Sequence, residues 1–116
     1  MKIAQSTPEI PVRDVEEAQQ YYRDRFGFEI AWHNRVGRIG AVCHGECALF
    51  FRETEDEIHP ATFWIFTEDV DEAHSELQAR GADIVDPVAD KPWGLRQFSV
   101  RDHNGNLFHF HHDISE

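Results

Sequence analysis

The chain has 116 residues, 41% of them hydrophobic, and a formal net charge of −11 at pH 7. Length and apolar content are enough for a real core and argue against disorder. The acidity argues against nucleic acid as a partner, because phosphate binding needs basic surface.

No segment approaches the roughly 20 apolar residues that span a bilayer. The N-terminus lacks the basic-then-apolar pattern of a signal peptide. Cys43 and Cys47 do not make a disulfide framework. Together these features lead us to expect a cytoplasmic protein. Negative charge would speed the encounter with a cationic ligand, and it serves solubility as readily.

In chain order, residues 7–13 read as a short extended segment. Pro8 and Pro11 donate no ladder bonds, which predicts an edge strand or an arm. Asp14 suits an N-cap, with Glu17 three residues on as in a capping box. Val15, Ala18, Tyr22 and Phe26 then share one helical face, and Gly27 fits the position just after the helix. Strands are predicted over 28–33, 38–43 and 47–52, the last two joined by a turn at His44-Gly45-Glu46. The charged stretch 53–60 reads as a linker.

The plan then repeats. Residues 62–67 form a strand rich in aromatic and β-branched residues. Asp69 caps a second helix, with Val70, Ala73 and Leu77 on its buried stripe and Gly81 at its end. A strand near 83–86 precedes a loop over 86–94. A last hairpin, 97–101 and 106–112, turns around Asp102-His103-Asn104-Gly105, where Asn-Gly signals a tight turn with φ > 0. The repeat is visible in the residues themselves: Asp14-Val-Glu-Glu-Ala18 returns 55 positions later as Asp69-Val-Asp-Glu-Ala73. We therefore expect one domain of two modules, about 1–57 and 58–116, with any ligand held where they face each other.

Three blocks carry a family resemblance. They are Ile10-Pro-Val-Arg-Asp-Val with Tyr21-Tyr-Arg-Asp-Arg-Phe-Gly-Phe28, then Asp69–Ala73, then Lys91-Pro-Trp-Gly-Leu-Arg-Gln-Phe through Gly105-Asn-Leu-Phe-His-Phe110. On these the chain resembles the glyoxalase / bleomycin resistance / extradiol dioxygenase (vicinal oxygen chelate) superfamily, and most of all its bleomycin resistance proteins. The resemblance implies an α+β fold of two tandem β-α-β-β-β modules with mixed sheets curved around a groove. It also implies a cytoplasmic homodimer that sequesters a cationic glycopeptide drug without altering it, and hence confers antibiotic resistance.

Enzymes of the superfamily carry metal ligands seven residues before each helix-opening Asp and on the last strand of each module. Here those positions hold Thr7 and Thr62, with Phe50 and His109 on the last strands. Thr, Thr, Phe and His do not make a divalent-ion site, which normally needs about three His, carboxylate or Cys ligands. We therefore expect no metal, no cofactor and no catalytic residue. His109 and His111 share a strand face and read as a polar strand end or an adventitious ion site. Cys43 and Cys47 flank a turn without zinc spacing.

What remains is aromatic. Trp32 follows the first helix, Trp64 and Phe66 share one face of a strand, and Trp93 lies in the Pro-Trp-Gly loop. By the resemblance, each tryptophan matches a ring at or near the drug groove. Flat rings stack on planar heterocycles and attract cations at their faces. Asp90 and Asp86, in the predicted loop, are candidate carboxylates for a cation. Arg96 and Arg101 read as ion-pairing residues. Phe50, Phe51, Phe98, Phe108 and Phe110 read as core. The expected ligand-binding set is Trp32, Trp64, Phe66, Trp93, Asp90 and His109. The alternatives are an enzyme of the same fold with an altered metal site, and a small-molecule sensor.

Overall fold

The structure, a computed structural model, describes residues 1–114. The chain divides into two compact units, Met1–Ile58 and His59–Glu116.

The first unit runs β1 (Glu9–Val12), α1 (Val15–Phe26), β2 (Glu29–Asn34), β3 (Ile39–His44) and β4 (Cys47–Glu53). The second runs β5 (Thr62–Phe66), α2 (Val70–Ala79), β6 (Asp83–Asp90), β7 (Leu95–Arg101) and β8 (Leu107–Asp113). Each unit is β-α-β-β-β, with a four-stranded mixed sheet ordered β1-β4-β3-β2 in one and β5-β8-β7-β6 in the other. The first strand of each pairs parallel with the last, and the other pairs are antiparallel. This is the expected α+β tandem fold. β1 is an edge strand, as Pro8 and Pro11 require.

Both helices start where the repeated phrase predicts. Asp14 accepts from the Glu17 backbone N–H at 3.0 Å, and Asp69 from that of Glu72 at 3.1 Å. Each bond satisfies a donor that a helix start leaves unpaired. α1 ends at Gly27, whose φ of 71° is left-handed and open to glycine at little cost.

The helices cover one face of their own sheets. In the first unit Tyr22 packs on Phe51 and Phe26, both at 4.9 Å between centroids, with Ile10, Val12, Val15 and Val42 fully buried around them. In the second, Phe98 stacks on Phe110 at 5.3 Å beside Val70, Leu77, Val100 and Phe108. Each such side chain contributes about 1.5–3 kcal/mol by leaving water.

Two local expectations are corrected. The loop predicted over 86–94 is strand as far as Asp90, leaving a turn at 91–94. β6 tolerates Pro87 because it lies at the sheet edge and its register slips between Asp86 and Ala89, so no ladder bond is demanded of the proline. At the β7–β8 connection, Gly105 has positive φ while Asn104 does not. The buried Asp102 shapes that turn. Its carboxylate accepts from the backbone N–H of Asn104 and Asn106 at 2.9 and 2.8 Å, and from the Asn106 side-chain amide at 2.9 Å.

Candidate functional site

Strand alternation puts a second set of side chains on the face of each sheet away from its helix. In the second unit the register aligns three rows across that far face. The middle row is Trp64, His109, Ser99 and Asp86. The next is Phe66, His111, Gln97 and Ala89. The last holds Thr62, Leu107 and Arg101.

The middle row is tightly joined. Trp64 and His109 lie 4.3 Å apart between ring centroids, and Trp64 also meets His111 edge-on at 5.7 Å. His109 Nδ1 is 2.6 Å from Ser99 Oγ. Burial pushes the His109 imidazole below its ordinary value, the charges of His111 and Lys91 push the same way, and Asp86 opposes them. Burial therefore favours the neutral form of the ring. Lys91 Nζ donates to Asp86 Oδ2 at 2.8 Å, so the carboxylate of this row is held in an ion pair.

Trp93 joins from the 91–94 turn. Its indole N–H donates to Gln97 Oε1 at 2.9 Å, and Gln97 itself is buried. Trp64, Phe66 and Trp93 are exposed by 53%, 61% and 59%. Rings that large are normally buried, and exposed apolar patches are a common feature of interaction sites. The Nδ1 of His111 is buried and has no hydrogen-bond partner among the described residues.

In the first unit the corresponding row is Glu9, Phe50, Ala41 and Trp32. It is more apolar. Trp32, 43% exposed, stands edge-on to Phe50 at 5.2 Å. Glu9 is turned to Arg52 at 2.8 Å. Phe50, expected in the core, is half-buried on this far face, because its neighbour Phe51 takes the helix side.

The predicted residues thus fall into three sets. Trp64, Phe66, Trp93 and His109 share the far face of the second unit. Trp32 occupies that of the first. Asp90 joins neither, because it pairs with Arg96 on the helix side. There Arg96 donates to Asp90 at 3.0 Å and to both Asp71 oxygens at 2.8 and 3.0 Å, which holds the Asp71 carboxyl below its usual range. Arg101 is ion-paired to Asp83. Ser99, Gln97 and His111 were not singled out as binding residues. The alternation of Leu95–Arg101 places Gln97, Ser99 and Arg101 together, and that was the signal available.

The register makes Phe50 and His109 equivalent. Each lies opposite a first-strand residue, Glu9 and Trp64, that stands five residues before the helix-capping Asp14 and Asp69. Among the described residues, no three His, Cys, Asp or Glu side chains are grouped so as to hold a metal ion. No helix among them is long and apolar enough to cross a membrane.

Comparison with known proteins gives the family. The family model for the Glyoxalase/Bleomycin resistance protein/Dioxygenase superfamily matches residues 3–110. The comparison with curated proteins gives no match. Among solved structures, TioX from Micromonospora sp. ML1 is 30% identical, with 96% of this chain and 99% of that one covered and a TM-score of 0.83. The bleomycin-binding protein of bleomycin-producing Streptomyces verticillus, solved with copper(II)-bleomycin, is 29% identical, with coverage of 100% and 99% and a TM-score of 0.75. A superfamily member from Sphaerobacter thermophilus is 28% identical, with coverage of 94% and 97% and a TM-score of 0.76. With nearly its whole length matched, the chain belongs to the glyoxalase/bleomycin resistance protein/dioxygenase superfamily.

Proposed function

We propose that this protein binds and sequesters a planar, cationic small molecule of the bleomycin type without changing it, and so protects against that molecule. The observation that carries the reading is the exposure of Trp64, Phe66 and Trp93 around His109, whose burial favours the neutral ring. Stacking on such rings favours flat heterocycles and cations. A neutral imidazole does not repel a cation as a charged one would. The net charge of −11 raises the encounter rate with one.

The bleomycin-binding relative supports the ligand class, at 29% identity over the full chain. Binding of this kind is stoichiometric, so protection scales with expression and affinity. We place the protein in the cytoplasm, as a homodimer, with both units in one domain. Tryptophan emission during titration with bleomycin tests the reading, with mass analysis of the recovered drug. Saturable quenching and an unaltered mass support it. No response at micromolar drug, or a modified product, removes it.

A further inference from the structure

The register of β2 slips between Ile30 and Trp32, so that Ile30 stands opposite Val42 and Trp32 opposite Ala41. An unbroken ladder would bring Trp32 opposite Gly40, on the helix side, because one residue of slip exchanges the faces. The bulge turns the indole to the far face instead. β6 slips in the same way between Ile84 and Asp86, which places Asp86 opposite Ser99. The same irregularity occurs in both units. It presents Trp32 in one and Asp86 in the other.

What holds the bulge differs between them. In the first unit Gln19, on α1 and 2% exposed, donates from Nε2 to the backbone oxygens of Trp32 at 2.8 Å and Ala41 at 3.1 Å. Gly40 makes the room. A Cβ there would lie 2.5 Å from Val15 Cγ1, 2.9 Å from Gln19 Nε2 and 3.2 Å from the Trp32 oxygen. In the second unit the matching positions are His74 and Phe98, whose rings meet edge to face at 5.1 Å. Among the described residues, no side-chain amide holds that bulge. The fold therefore does not need Gln19 to make a bulge, and the clamp is found where the bulge carries a tryptophan.

We infer that Gln19 is a positioning residue for ligand binding. Its buried amide fixes the Trp32 backbone so that the indole stands against Phe50 as a stacking wall for a planar ring. The ligand in this statement rests on the function proposed above, whereas the fixing of Trp32 does not.

The test uses Gln19→Met, which keeps the reach and removes both donors. Trp32 is followed in a protein carrying Trp64→Phe and Trp93→Phe, by near-ultraviolet circular dichroism and fluorescence anisotropy. Bleomycin affinity is measured by calorimetry with the other tryptophans intact. Gln19→Met should lower the Trp32 dichroism and anisotropy while leaving the far-ultraviolet spectrum unchanged. It should weaken bleomycin binding about twofold to tenfold, the span of one aromatic contact. Combined with Trp32→Ala it should add nothing to the loss from Trp32→Ala alone, as residues acting through one another behave. Unchanged Trp32 signals, or fully additive losses, would overturn the inference. Should Gln19→Met not fold, Gln19→Glu decides. Its carboxyl regains a donor when protonated, so Trp32 anisotropy must rise as the pH falls, and a flat profile would overturn the inference. If the unaltered protein ignores bleomycin, the proposed function fails while the Trp32 signals still decide the role of Gln19.

Discussion

Trp64 and His109 face each other from the parallel strands β5 and β8, their ring centroids 4.3 Å apart and their planes inclined by 37°. Burial holds the imidazole below its ordinary value near 6.5. A charged imidazole quenches a neighbouring indole, so Trp64 reports this titration. With Trp32 and Trp93 changed to Phe, emission should drop on acidification with a midpoint below about 6.5. His109→Gln should remove the larger part of that transition, since His109 stands nearer Trp64 than His111 does. The sign for stability follows. With the folded value below the unfolded one, the unfolded chain binds more protons in this range. Stability from His109 is therefore intact above about 6.5 and is lost as the pH falls through the lowered folded value. A midpoint above 6.5 would contradict the burial of this ring.

The two candidate carboxylates separate cleanly. Asp86 lies in the far-face row with Ser99 and His109, while Asp90 pairs with Arg96 on the helix side. Asp86→Asn should weaken a cationic ligand about twofold to fivefold, more at low salt, as expected of a partly screened charge. Asp90→Asn should change affinity less than about twofold. Calorimetry at two salt concentrations checks both.

Asp102 and Asn106 are buried and tied to each other, and Asn106 Oδ1 accepts from the Ala61 backbone N–H at 2.9 Å. Asn106→Ala leaves that donor and the Asp102 oxygen without these bonds. The loss should be about 1–3 kcal/mol for each group left unsatisfied, read as a lower urea midpoint with unchanged slope.

The helix starts show how the repeats diverged. The Val70 backbone N–H donates to His112 Nδ1 at 3.0 Å, and in the first unit the Val15 N–H reaches Glu53 Oε1 at 3.4 Å. An imidazole in one unit does the work of a carboxylate in the other. His112→Ala should cost about 1 kcal/mol, the usual worth of a capping acceptor. His112→Glu should restore most of it, since negative charge suits a helix N-terminus. Urea denaturation of the three proteins compares them.

Much of this was legible in the residues. Both N-caps, both buried stripes and the β-α-β-β-β succession of each module follow from Asp14, Asp69 and the apolar periodicity. What escaped depends on register. Asp90 looked like a partner of the aromatic rings because neither slip in β6 can be read from Asp83–Asp90. Phe50 looked like core because Phe50 and Phe51 form one apolar run, and only the pairing of β4 shows which faces the helix. Gln19 carries no signal of its own in the sequence. Its role needs Gly40, 21 positions away in the chain, to open the space it fills.

The central claim is that exposed rings around His109 hold a planar cation. Calorimetric titration of the protein and of Trp64→Ala with bleomycin tests it most directly. The account predicts saturable binding at a fixed stoichiometry, micromolar or tighter, weakened about tenfold by Trp64→Ala. Equal affinity in the two proteins, or no binding to either, would contradict it.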